Sequence, residues 1–231
     1  MSREKSREKN LVTRPTSVFT LLVLLCVSLL AGCGQSRPTD FYMLTSDHVP
    51  LNAASLPART MAIGALIVPG YLDRPGVVVR AADGTGLTVP RFNVWAEPLQ
   101  QGMRRVLSSM LAEPMLRENV TMLPMGADRP DTAYALHIEV LRMDADTKGN
   151  VVLEARWALL DRENRTMLGR GSFASSETVN LPPFGTSQMF DAIVAAESRL
   201  VQGFARDLAK VLPKTLERRV HKPDRPDRTA R

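Results

Sequence analysis

The chain of 231 residues has few of the side chains on which most enzymes depend. It holds two cysteines, Cys26 and Cys33, and three histidines, His48, His137 and His221. No two histidines stand at metal-ligand spacing, and the helical zinc-protease, nucleophile-elbow and phosphate-loop motifs are all missing. Gly84-Thr85-Gly86 reads as a plain turn, His137 as a solvated strand residue, and Asp144 and Asp146 as turn formers bracketing a hairpin. The sequence therefore predicts no enzyme, no catalytic residue, no metal and no cofactor. Aromatic residues make up only 5% of the chain, which leaves few platforms for stacking single-stranded bases. The formal net charge is +6, but the excess sits at the two ends. Residues 1–32 carry five basic and two acidic side chains, and residues 214–231 carry seven and three. Between them, residues 33–213 hold eighteen basic against nineteen acidic. A neutral body lacks the basic stripe that nucleic acid requires, so no nucleic-acid partner is expected. The 44% apolar content fits one globular domain of ordinary size plus terminal segments.

A long hydrophobic run is missing too. Residues 18–31 are free of charge, but as a helix they would span only about 21 Å against a bilayer core of about 30 Å. A basic start, a short apolar stretch and small residues after it describe an export signal. Leu30-Ala31-Gly32-Cys33 resembles the lipobox of bacterial lipoproteins, in which the cysteine thiol takes a diacylglycerol and becomes the first residue of the mature chain. The expected layout is a signal peptide over 1–32 and an acylated tether over 33–40, with a lipid on Cys33 as the membrane contact. With Cys26 removed and Cys33 acylated, no thiol remains for a disulfide, a nucleophile or a metal. By the same resemblance, Gly34 in place of an aspartate points to the outer membrane of the cell envelope, facing the periplasm.

The mature chain reads as one α+β domain over 41–212, with a mostly antiparallel sheet and two amphipathic helices on one face. Short strands are expected at 41–44, 60–68 and 119–123, and a hairpin around Asp83-Gly84. Trp95, Leu99, Met103, Val106, Leu107, Met110 and Leu111 form a helical stripe, with Asn93 as cap, Pro98 in the first turn and Pro114 as its end. From 133 to 179 the period changes to two, which predicts a three-strand meander. If the first hairpin is symmetric about Thr147-Lys148, Glu139 faces Arg156. A second helix is expected from Ser187 to Leu212, capped by Ser187, and the basic residues 213–231 are expected to be disordered.

Two segments resemble the signature blocks of the PqiC-type ABC-transport auxiliary lipoproteins. The first runs Ile63-Gly64, then Val68-Pro69-Gly70-Tyr71-Leu72-Asp73-Arg74-Pro75; the second is Asn93-Val94-Trp95-Ala96-Glu97-Pro98-Leu99, continued by Gly102, Arg105, Val106 and Leu107. Phe41-Tyr42-Met43-Leu44 resembles the first strand of that family. The resemblance implies the outer-membrane lipoprotein of an MCE-type lipid transport system, partnered by an MCE-domain protein and inner-membrane components. It would act as a docking or receiving element, with homo-oligomerisation left open. Tyr71, Leu72, Asp73, Arg74, Pro75, Trp95 and Glu97 are the candidate partner-binding residues, because loops on rigid scaffolds are where partners bind. The plainer reading of the same residues is that Asp73 and Arg74 order a turn while Tyr71 and Trp95 are core. Two other functions remain open: a carrier holding an acyl chain between sheet and helices, and a structural lipoprotein assisting another envelope complex.

Overall fold

A computed structural model describes residues 37–47, 59–123 and 132–220, without the side chains of the last three. The chain divides into a unit of residues 1–38 and a compact unit of residues 39–231. The expected signal peptide over 1–32, Cys33, His48, His221 and the tail beyond residue 220 lie outside the described residues.

Alternation of apolar and polar side chains produces three long antiparallel strands, β7 (Tyr134–Asp146), β8 (Asn150–Asp161) and β9 (Thr166–Thr178). Val151, Leu153, Ala155, Trp157 and Leu159 alternate along β8 and are all buried, so the meander has one dry face. Gly149 closes the first hairpin at φ 87°, and a Cβ there would stand 2.1 Å from the Val179 carbonyl oxygen, so only glycine fits. Glu139 does face Arg156, with 4.0 Å between the charged atoms. The route to that pairing is not a symmetric turn. Ala145 opposes Val151, which centres the hairpin on Lys148, and a bulge between Val140 and Arg142 then shifts the register by one residue.

The shorter strands are β1 (Asp40–Tyr42), β2 (Arg59–Ile67), β3 (Val79–Arg80), β4 (Leu87–Thr88), β5 (Asn93–Trp95) and β6 (Val120–Met122). β2 lies parallel to the first half of β7, with β6 parallel on its far side. β3 runs parallel to the end of β7 and forms the expected hairpin with β4. β1 and β5 make a separate parallel pair. The longest pairings are antiparallel, the short ones are parallel apart from the β3–β4 hairpin, and the helix between β2 and β6 supplies the crossover that a parallel pair requires.

Helices α1 (Leu99–Arg117) and α2 (Ser187–Val220) cover the dry face. Met103, Val106, Leu107 and Leu111 of α1 and Ile193, Val201, Phe204 and Leu208 of α2 are all 0% exposed. Together with Leu136, Val151, Leu153 and Leu159 of the sheet they form the core. Burying an aliphatic side chain of this size contributes about 1.5–3 kcal/mol.

Several boundaries differ from the sequence reading. Pro98 is the N-cap of α1, while Asn93 sits buried in β5 and donates to the Tyr42 hydroxyl at 3.3 Å. Pro114 lies inside α1, which ends only where Asn119 takes φ 58°. At α2 the capping oxygen belongs to Thr186, which accepts from the Met189 N–H, and the Ser187 hydroxyl instead donates to Asp40 at 2.5 Å. The largest correction is at the C-terminus. Residues 213–220, expected to be disordered, continue α2 through Pro213. Leu212 and Leu216 extend the buried stripe one turn at a time, and Thr215 packs on Gly169 of β9. That packing outweighs the one helical hydrogen bond the proline ring removes.

Candidate functional site

The two signature segments converge. After β2 the chain turns at Pro69, where the Leu72 N–H donates to the Pro69 carbonyl at 2.8 Å and the Arg74 N–H to the Leu72 carbonyl at 2.8 Å. It then meets β5, where the Trp95 N–H donates to Pro75 at 2.6 Å and Gly76 bridges to Val94. A cleft of about 280 Å³ results, lined by Asp73, Arg74 and Pro75 on one side and by residues 95–99 on the other.

The seven candidate residues divide by exposure. Leu72 is 3% exposed and Trp95 9%, and both belong to the core. Asp73, Arg74 and Pro75 are exposed. Glu97 is half-buried and accepts two hydrogen bonds from Arg105, at 3.0 and 2.5 Å; Arg105 also donates to the Leu44 carbonyl at 2.9 Å. The second block thus ties its loop to α1 and to the segment after β1.

Tyr71 fastens the loop to the sheet. Its hydroxyl donates to Asp144 Oδ2 at 2.9 Å, and the Arg80 guanidinium stands 5.7 Å from its ring centroid. Asp144 has no exposed surface and also receives Arg80, at 2.6 and 3.1 Å, and Arg142, at 3.0 Å. Burial pushes the Asp144 carboxyl up, but the donors on Arg80, Arg142 and Tyr71 outweigh it and hold the group below its ordinary value. Burial, and then the bond to Asp144, pushes the Tyr71 phenol up to about 12. Asp144 is therefore no turn former. That role belongs to Asp146, which accepts from the Lys148 N–H at 2.8 Å and the Asn150 N–H at 3.0 Å.

The opposite face of the sheet holds a feature the sequence did not announce. A shallow concavity of about 820 Å³ lies over Ala65, Ile67, Glu139, Arg156, Arg170 and Ser172. His137 belongs to it and is half-buried rather than solvated; its ring lies over Gly64, where a Cβ would come within 2.8 Å. That close approach explains the glycine of the first signature block. Among the described residues, no three His, Cys, Asp or Glu side chains are grouped to hold a metal ion. Nor is any described helix long and apolar enough to cross a membrane.

Fold and site together define an α+β domain in which two sequence blocks meet at one clamped surface cleft. Residues 42–209 match the family described as the ABC-type transport auxiliary lipoprotein component, and the chain belongs to that family. It is 27% identical over 140 residues to the intermembrane transport lipoprotein PqiC of Escherichia coli (strain K12), covering 60% of this chain and 72% of that one. The protein of the same name from Shigella flexneri matches equally. Among solved structures, one from Xanthomonas campestris superposes with a TM-score of 0.59 at 17% identity, over 79% of this chain and 100% of the other. A second, an uncharacterized protein, gives 0.57 at 20% identity over 76% and 99%. At these identities the two structures speak for the α+β fold alone.

Proposed function

We propose that this lipoprotein is held to the outer membrane through acyl groups on Cys33 and serves an intermembrane lipid transport system as a docking or receiving element. In this reading it performs no chemistry of its own. The observation that carries the proposal is the convergence of the two signature blocks on one cleft. Buried Leu72 and Trp95 fix its walls, Asp144 clamps it through Tyr71, and Asp73, Arg74 and Pro75 are turned outward. An exposed, oppositely charged pair on a rigid turn suits recognition of a protein surface. The partner proposed is the MCE-domain component of the same system. Among the described residues the side chains of sheet and helices pack into one core, which weighs against the carrier reading.

The test is crosslinked capture of the MCE-domain component from envelopes by the acylated protein. Exchanging the charges, Asp73→Arg with Arg74→Glu, is expected to reduce capture about tenfold or more with the melting temperature unchanged. Full capture by that stable variant would remove the cleft from the interface. Retention of a Cys33→Ser chain in the outer membrane would remove the anchor.

A further inference from the structure

Eight large apolar side chains are exposed to water among the described residues, and three of them stand on two segments that are tied together. These three are Phe41 (69% exposed), Met43 (52%) and Phe184 (58%). The first two stand out of β1 and the segment after it by simple alternation, since Tyr42 and Leu44 point into the core. Phe184 lies in the tight turn before α2, where the Thr186 hydroxyl donates to Pro183 at 2.8 Å and Gly185 takes φ 82°. The two segments are tied together: Ser187 donates to Asp40 at 2.5 Å, and the Tyr42 hydroxyl donates to the Ser187 carbonyl at 3.3 Å. They also sit where the chain enters the domain. The Asp40 N–H donates to Phe92 at 2.7 Å, which sets the exposed Arg91 beside that entry.

The tether decides what can cover this end. Seven residue steps separate Cys33 from Asp40, so even fully extended the chain reaches about 25 Å. The opposite end of the domain is much farther off. Met167, 55% exposed, lies two residues from Gly169, which packs against Thr215. Thr215 stands roughly 42 Å of helix beyond Ser187 at about 1.5 Å per residue.

We infer that the end of the domain bearing Phe41, Met43 and Phe184 rests on the phospholipid bilayer that holds Cys33, with these side chains in its interfacial layer. The inference depends on the acyl anchor proposed above. Aromatic side chains favour that layer, and Arg91 meets anionic headgroups there. The domain then stands with α2 leading away from the membrane, so its far end is carried towards the periplasm.

Met43 and Met167 are a built-in pair of reporters, nearly equal in exposure and at opposite ends. The full chain, reconstituted in vesicles of phosphatidylethanolamine and phosphatidylglycerol, is treated with hydrogen peroxide, and sulfoxide at each methionine is read by peptide mass spectrometry. The same spectra report whether Cys33 carries lipid. The expected result is a several-fold lower oxidation of Met43 than of Met167, restored to parity by Phe41→Ser with Phe184→Ser at an unchanged melting temperature. Equal oxidation in an acylated, vesicle-bound protein overturns the inference and leaves the anchor standing. Protection of Met43 without lipid on Cys33 keeps the bilayer contact and discards the anchor. Equal oxidation in a chain without lipid discards both. Protection that grows with protein density at fixed lipid identifies a second copy as the occupant and overturns the lipid assignment.

Discussion

Of the carboxylates buried among the described residues, Asp144 and Glu197 are managed in opposite ways. Asp144, fully buried in β7, receives donors from Arg80, Arg142 and Tyr71 and stays charged. Glu197, 2% exposed in α2, has one oxygen, Oε2, with no partner. Burial pushes its carboxyl well above the ordinary value, and the negative charge of Asp144 pushes it further the same way. One buried acid is satisfied by cations and organises the loop at the candidate site. The other is pushed towards its protonated form. The difference shows that burial alone does not set the state of a carboxylate; the donors within reach decide it.

The largest effect should follow from emptying the satisfied site. Asp144→Ala leaves two guanidinium groups and a phenol without their acceptor. Arg80 and Arg142 retain 22% and 32% of their side-chain exposure and can be rehydrated, so the cost falls near the low end for a broken buried ion pair, about 3 kcal/mol. Urea unfolding would measure it. The loss should also carry a pH signature. Because the folded-state value of Asp144 is depressed below 3.8, its contribution is present above that pH and disappears as pH falls through the folded value. Wild type and Asp144→Ala should therefore converge in acid. A constant difference down to pH 2 would show that the ion cluster is not the source.

Glu197 should respond with the opposite sign. Glu197→Met fills a similar volume without an orphaned oxygen and should stabilise the protein by about 1–2 kcal/mol near neutral pH. Below 4.5 both the folded and unfolded chains keep the proton, and no ionisation penalty exists. As pH rises above 4.5 the unfolded chain ionises while the native one does not, so wild type loses stability with rising pH relative to Glu197→Gln. A flat difference between those two proteins from pH 4 to 8 would contradict the protonated state assigned to Glu197.

The same pair shows what the sequence could and could not disclose. The period-two pattern of residues 134–178 was legible because every second side chain of β8 enters the core, and the helical stripes were legible for the same reason at period 3.6. Asp144 reads as a turn former in the sequence because two of its three donors, Arg80 and Tyr71, lie 64 and 73 positions away, which no local pattern records. Glu197 leaves a trace in the sequence. It interrupts the apolar stripe between Val194 and Leu200, where a lysine-like reach to solvent is unavailable. At the candidate site the signature residues were found, but only the fold separates buried Leu72 and Trp95 from outward Asp73 and Arg74. The extension of α2 past Pro213 was hidden because helix-breaking by proline is local, whereas Thr215 packs on distant Gly169 and Leu216 joins the core.

Tyr71→Phe probes the link between the buried aspartate and the cleft. It removes one hydrogen bond to a carboxylate that keeps both arginines, so the expected loss is about 1 kcal/mol, less than for Asp144→Ala. Amide exchange at Asp73 and Arg74 should quicken, because Tyr71 no longer pins the turn to β7. Unchanged exchange there, with the global stability reduced, would mean that the backbone bonds to Pro69 and Pro75 hold the loop without help.

The smallest effect belongs to the charge pair that was easiest to foresee. Glu139 and Arg156 face each other across β7 and β8, but their side chains are 54% and 65% exposed and their charged atoms are 4.0 Å apart. Water screens both, so Arg156→Ala should change stability by only a few tenths of a kcal/mol, and added salt should erase the change. Against it, Asp144 has no exposed surface and three donors at hydrogen-bond distance. If Arg156→Ala cost as much as Asp144→Ala, desolvation could not be what separates a structural ion cluster from an incidental one, and the concavity around Arg156 would have to impose a constraint of its own on that face of the sheet.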